Sequence, residues 1–122
     1  MSSPAKLRIL VVDDEPLIRW SITETLAAAG HQMMEASDAA TALQAVTDAP
    51  DLDLVLLDFR LPDANDLGLL KKIRRMAPAA RVVMMTAFGT PDVTAGAIEL
   101  GASRVLSKPF NMGELEGVVR SL

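Results

Sequence analysis

The sequence predicts a single α/β domain of five consecutive β-strand–α-helix units, a doubly wound parallel sheet with helices on both faces. Three observations carry that expectation. Short apolar runs, continuous in the first, third and fourth and weaker in the second, recur five times, each followed by a stretch of helical periodicity. The connections between them are about 2–6 residues, as short as α/β units require. Right-handed crossovers between parallel strands then place helices on both faces of the sheet. A chain of 122 residues suits one such domain, 1–122, with a polar leader over 1–6.

The elements follow in order. Leu7–Val12 is an apolar run broken only by Arg8, ending at Asp13, Asp14 and Glu15. Pro16 suits the first turn of a helix, where its missing N–H costs little. Leu17, Ile18, Ile22, Leu26 and Ala29 continue that helix at helical spacing, and Gly30 stops it. His31–Ala36, with Met33 and Met34, is a weak second strand at the rim of the sheet. Ser37 or Asp38 caps a helix through Ala39, Ala40, Leu43 and Val46, closed by Pro50.

Leu54–Leu57 is the third strand and Asp58–Asn65 its loop. Leu67, Leu70 and Ile73 with Lys71, Lys72, Arg74 and Arg75 form an amphipathic helix ended before Pro78. Its basic residues gather in the last turns, where they favour the negative end of the helix dipole. Arg81–Met85 is the fourth strand, ending at Thr86, and a helix runs from Asp92 to Leu100, stopped by Gly101. Ser103–Leu106 is a short fifth strand ending at Ser107, Lys108 and Pro109. Met112–Leu122 is amphipathic through Leu115, Val118, Val119 and Leu122.

Composition excludes several functions. Only Trp20, Phe59, Phe88 and Phe110 are aromatic, so the core is aliphatic. A net charge of -4 without a clustered basic face argues against direct nucleic-acid binding. With no cysteine, neither a disulfide framework nor a thiolate metal site can form. No apolar run approaches the roughly 18 residues of a membrane span, and the N-terminus lacks a signal-peptide core, so a cytoplasmic domain is expected. The last helix ends at the chain terminus, so any output domain lies outside this chain.

A parallel sheet gathers all its strand C-termini at one edge, where open α/β sheets place their ligand chemistry. Asp13 and Asp14 follow the first strand, Asp58 the third, Thr86 the fourth and Lys108 the fifth. Three carboxylates crowded together repel, and a divalent cation removes that conflict. An all-oxygen donor set points to a hard ion, Mg2+ before Ca2+ or Mn2+, held by Asp14, Asp58 and a backbone carbonyl. Lys108 adds a cation and Thr86 a hydroxyl for an anion. Metal, ammonium and hydroxyl around one carboxylate are the parts that stabilise a transferring phosphoryl group, and the carboxylate can itself be the nucleophile. Each piece alone has a bland reading as a cap, a turn former or a loop dipeptide. One piece at each of four strand ends is hard to reach by accident.

The residues VVDDEP, LLDFRLP, MTAFG and SKPF, in that order and spacing, resemble the receiver domain of bacterial two-component response regulators over essentially the whole chain. The resemblance implies the chemotaxis-regulator-like, flavodoxin-like strand order 2-1-3-4-5. It implies that Asp58 accepts a phosphoryl group, with Mg2+ (Mn2+ as a substitute), from a sensor histidine kinase or phosphotransfer protein. Asp14 would then bind the metal directly, Asp13 mainly through water, and Arg60 through its backbone carbonyl. Thr86 and Lys108 would contact the phosphoryl oxygens, Ala87 would leave access open, and the Lys108–Pro109 bond would be cis. Such a domain is a switch rather than a turnover enzyme. It controls an output domain or partner, here transcriptional, through the face of helix 4, strand 5 and helix 5. Ile98, Arg104, Glu114 and Glu116 on that face do not choose between monomer and homodimer.

The chain also departs from the family. Where many receivers carry a Tyr or Phe three residues before the lysine, this chain has Val105, and it has no tyrosine. Val105 either fills a core gap or marks a signalling route moved to Thr86 and the 87–90 loop, with Phe88 as reporter. Asp66 stands where the family often has glycine and reads as a helix cap. The Arg60 side chain either gates water at an acyl phosphate or faces solvent. Two other functions compete. A haloacid-dehalogenase-like hydrolase would need D-x-D-x-[TV] after the first strand, which Asp13–Asp14 lacks. A pseudo-receiver would have lost an acid, the Thr or the Lys, and none is lost.

Overall fold

The computed structural model describes residues 6–64, 67–87 and 89–122. Its order is β1 (Arg8–Val12), α1 (Pro16–Ala28), β2 (Gln32–Ala36), α2 (Ala39–Asp48), β3 (Leu54–Asp58) and α3 (Gly68–Met76). Then come β4 (Arg81–Thr86), α4 (Pro91–Glu99), β5 (Arg104–Ser107) and α5 (Met112–Ser121). All strand pairs are parallel and the sheet order is β2-β1-β3-β4-β5, as expected. The polar leader, Asp66 and Phe88 lie outside or largely outside the described residues, so the expectations for Asp66 and Phe88 find no structural account.

The central strands β1, β3 and β4 are apolar through most of their length because both of their faces are covered. Leu10, Val12, Val55, Leu57, Val82 and Met84 pack on Ala42 and Val46 of α2, Leu70 and Ile73 of α3, and Ala97 of α4. The alternate residues Ile9, Val11, Leu54, Leu56, Val83 and Met85 pack on Ile22 and Leu26 of α1 and Leu115, Val118 and Val119 of α5. Period-two side-chain alternation thus divides one apolar run between two cores. β2, an edge strand, exposes Gln32 and Glu35, which explains its weak sequence signal.

Element ends differ from the sequence reading by a residue or two. Asp58 is the last residue of β3 rather than the first of a loop, because its register with Met85 of β4 continues the ladder. α4 starts at Pro91, with Thr90 as N-cap accepting from the Val93 N–H at 3.2 Å. β5 is shifted by one, to Arg104–Ser107. Of the two capping candidates for α2, Asp38 serves, in a reciprocal box with Thr41. Thr41 holds the Asp38 carboxyl below its usual range by hydrogen bonding to it. Gly30 and Gly101, at φ 100° and 105°, end α1 and α4 in the left-handed conformation that favours glycine.

Candidate functional site

Alternation sends Asp58 to the same side of the sheet as Leu54 and Leu56, and Asp13 to the side of Ile9 and Val11. Both reach the α1/α5 side of the upper sheet edge, where Lys108 arrives from the end of β5. Lys108 Nζ lies 2.8 Å from Asp13 Oδ2, 3.2 Å from Asp58 Oδ2 and 3.9 Å from a carboxylate oxygen of Glu15. Asp13 is fully buried, and Asp58 and Thr86 nearly so. The lysine backbone is fixed too, its N–H donating to the Thr86 carbonyl at 2.7 Å, and the Lys108–Pro109 bond is cis.

Asp13 is held on every side. Its Oδ1 accepts the Glu15 N–H at 2.9 Å, its N–H donates to the Ala36 carbonyl at 3.1 Å, and its carbonyl accepts from the Arg19 guanidinium at 2.7 Å. Asp14 is exposed and lines a cavity of about 300 Å3 together with Asp58, Arg60, Thr86, Ala87 and Lys108. Among the described residues, Asp13, Asp14 and Asp58 each offer a carboxylate oxygen within 4.8 Å of the others. The sequence-derived residues therefore meet at one cavity mouth, with Asp13 behind it and Asp14 in front.

The electrostatics follow from that crowding. Burial, reinforced by the negative charge of Asp13, raises the Asp58 carboxyl from 3.8 to about 6, against the opposing pull of Lys108 and of the Arg60 N–H. Burial alone would lower the Lys108 ammonium, but its hydrogen bonds and charge interactions with Asp13 and Asp58 win and the net direction is up. Lysine is therefore the resident counter-ion of the acid cluster. Three hard oxygen donors, two of them buried or nearly so, with no sulfur or imidazole among them, also suit a divalent cation such as Mg2+. An anion entering the cavity would meet an ammonium and a threonine hydroxyl beside a carboxylate that can act as nucleophile.

Sequence reasoning missed two supports. Arg19 bridges the Asp13 carbonyl and Glu35, 3.1 Å away, tying α1 to the acid-bearing loop. Asp63, five residues past Asp58, accepts the Ala39 N–H at 2.7 Å and the Ala40 N–H at 3.1 Å at the start of α2. A Pro-Asp pair in a loop reads as a turn, and nothing local to it signals a partner 24 residues away. At the position of the absent aromatic, Val105 is half-buried and packed against the core shared by α2, α3 and α4.

The family model for the response regulator receiver domain matches residues 9–120. The chain is 38% identical over 111 residues to the DNA-binding transcriptional regulator NtrC of Azospirillum brasilense, covering 91% of this chain but only 23% of that protein. It is 36% identical over 114 residues to sporulation initiation phosphotransferase F of Bacillus subtilis, covering 93% of this chain and 90% of that protein. Among solved structures, a CheY-like receiver domain protein of Methanospirillum hungatei superposes with a TM-score of 0.90 at 26% identity, covering 96% of this chain and 93% of that one.

Proposed function

The chain belongs to the response regulator receiver domain family, the phosphorylation-operated switches of two-component systems, and on that premise we propose that Asp58 is its phosphoacceptor. The observation that carries this assignment is Asp58 Oδ2 standing 3.2 Å from Lys108 Nζ inside a cluster of three aspartates, at a cavity open to solvent. The donor is a phosphohistidine of a sensor kinase or phosphotransfer protein. A carboxylate oxygen of Asp58 bonds to phosphorus as the bond from phosphorus to the donor nitrogen breaks. The nitrogen keeps the electron pair, and an acyl phosphate is left on Asp58.

Asp14, Asp58 and the Arg60 carbonyl would hold Mg2+, or Mn2+ in its place, with Asp13 reaching it mainly through water. The burial of Asp13 and the cavity-facing position of Asp14 support that division. Bound metal supplies neutralising charge for the transferring phosphoryl group. Lys108, freed from part of its pairing with Asp58, takes a phosphoryl oxygen, and the Thr86 hydroxyl takes another. Ala87, small and at the cavity rim, leaves the approach open. The turnover is limited to loading and slow loss of this one phosphoryl group, so the domain is a switch and not an enzyme acting on an external substrate.

Val105, packed into the core, supports the gap-filling reading of that position. A separate observation supports a route from Asp58 through Thr86. A Cβ placed on Gly89 would stand 3.0 Å from Thr86 Cγ2 and 3.7 Å from Thr94 Oγ1, so Gly89 is sandwiched between the pocket and α4. The face of α4, β5 and α5 delivers the signal to an output domain or partner, with homodimerisation one form of it. Similarity to NtrC supports a transcriptional output and a cytoplasmic setting. No helix among the described residues is long and apolar enough to cross a membrane.

Incubation with acetyl phosphate and Mg2+ should add the mass of one phosphoryl group to the intact protein. Asp58→Asn should abolish that gain. An unlabelled wild type, or a labelled Asp58→Asn, would overturn the assignment.

A further inference from the structure

The loop after the phosphoacceptor is short, carries no regular structure, and must nevertheless present one carbonyl to a metal that demands near-octahedral geometry. Its start is fixed by Asp58, whose Oδ1 accepts the Arg60 N–H at 3.3 Å. Its middle is a tight turn in which the Leu61 N–H donates to the Ala64 carbonyl at 2.7 Å and the Ala64 N–H returns to the Leu61 carbonyl at 3.3 Å. Leu61 is buried, which sinks the turn into the core. What fixes the turn laterally is Asp63.

The Asp63 carboxylate spans the first two N–H groups of α2, those of Ala39 and Ala40, while Asp38 takes the third, that of Thr41, at 2.8 Å. Two carboxylates therefore share one helix start, where unsatisfied N–H groups and the helix dipole both favour negative charge. They differ in what they tie down. Asp38 is local to α2, whereas Asp63 joins α2 to the loop holding Arg60. A helix already capped by Asp38 gains only part of a cap from Asp63, but the loop gains an anchor.

We propose that Asp63 is a positioning residue for the metal: by clamping the 59–64 loop to the start of α2 it holds the Arg60 carbonyl where Mg2+ needs it. This rests on the metal and phosphoacceptor assignment made above. Without the clamp the loop must be ordered by the ion itself, and that ordering is subtracted from metal affinity.

The test compares Asp63→Ala, Asp63→Asn and Asp38→Ala for Mg2+ affinity by calorimetric titration, with stability by urea unfolding in EDTA and labelling by acetyl phosphate alongside. Both alanine variants remove a carboxylate from the start of α2, and Asp38→Ala, which removes the N-cap itself, should lose at least as much stability as Asp63→Ala. Only Asp63→Ala should weaken Mg2+ binding, by about fivefold, a cap's worth of preorganisation. Asp63→Asn keeps one acceptor and should fall between Asp63→Ala and wild type. Equal Mg2+ affinity in Asp63→Ala and wild type would overturn the proposal, as would equal weakening in Asp38→Ala. A wild type that neither binds Mg2+ nor labels would instead overturn the assignment beneath it. Unfolding of Asp63→Ala in EDTA leaves Asp63→Asn to decide, since an unchanged Mg2+ affinity there would count against the clamp.

Discussion

Lys108 and Asp13, 95 residues apart in the chain, are joined by a 2.8 Å ion pair in which the aspartate is fully buried. The lysine is therefore occupied in neutralising the acids proposed above to hold the metal. Ammonium and metal ion compete for the same negative field. Lys108→Ala should tighten Mg2+ binding, roughly tenfold at modest ionic strength, while slowing labelling by acetyl phosphate. Calorimetric Mg2+ titration and labelling rates give the two readouts. Weaker Mg2+ binding in the variant would mean that the lysine organises the acids rather than competing with the ion.

That pairing shows where the sequence stopped being legible. The strands could be read because burial on both faces leaves an unbroken apolar run, and their ends could be read because charge begins where burial stops. Which charges touch is another matter. Asp13, Asp58 and Lys108 were placed at one sheet edge by topology alone, but nothing in their neighbours says that Asp13 faces inward onto Lys108 while Asp14 faces the cavity. Asp63 and Arg19 were invisible for a related reason. The contacts that matter to the site, to the Ala39 and Ala40 N–H groups and to the Asp13 carbonyl, are with backbone groups, which every residue carries, so no residue type advertises them.

Asp58 should destabilise the metal-free fold at neutral pH. Its carboxyl is raised from 3.8 to about 6 in the folded protein, so between those values the folded state binds more protons than the unfolded one. Stability therefore falls as pH rises through that window, and above it the ionised group costs about 3 kcal/mol at most. Asp58→Asn should be more stable than wild type in EDTA at pH 7.5, by about 1–3 kcal/mol, and the gap should close near pH 4. Urea unfolding across this range checks it. A gap that is constant with pH would show that amide packing, not relief of a buried charge, is responsible. Adding Mg2+ should stabilise wild type more than the variant.

Gly101 is doubly constrained. Its φ of 105° disfavours any side chain, and a Cβ there would come within 2.9 Å of Arg74 Nε. Arg74 is itself held, its guanidinium donating to the Ala80 carbonyl ahead of β4. Gly101→Ala should cost about 1–3 kcal/mol by urea unfolding, with Mg2+ affinity unchanged because the turn is remote from the acid cluster. Gly30→Ala, with a similar φ but nothing within 4 Å of the added carbon, should cost less. Equal losses would leave the Arg74 contact without weight.

The two adjacent acids should separate cleanly by experiment. Asp13 is buried on Lys108, so Asp13→Ala strands a largely buried ammonium and removes the acceptor of the Glu15 N–H. Breaking a buried pair from one side is expensive, though Asp58 and Glu15 remain near the ammonium, and a loss of about 2 kcal/mol in EDTA is expected. Asp14 is exposed and faces the cavity. Asp14→Ala should change metal-free stability by less than about 0.5 kcal/mol, as surface substitutions do, yet weaken Mg2+ binding by at least roughly tenfold. Its labelling by acetyl phosphate should fall in step with the lost metal and recover as Mg2+ is raised. If Asp14→Ala binds Mg2+ as wild type does, the direct ligand is Asp13, and the ion would then have to displace Lys108 to enter.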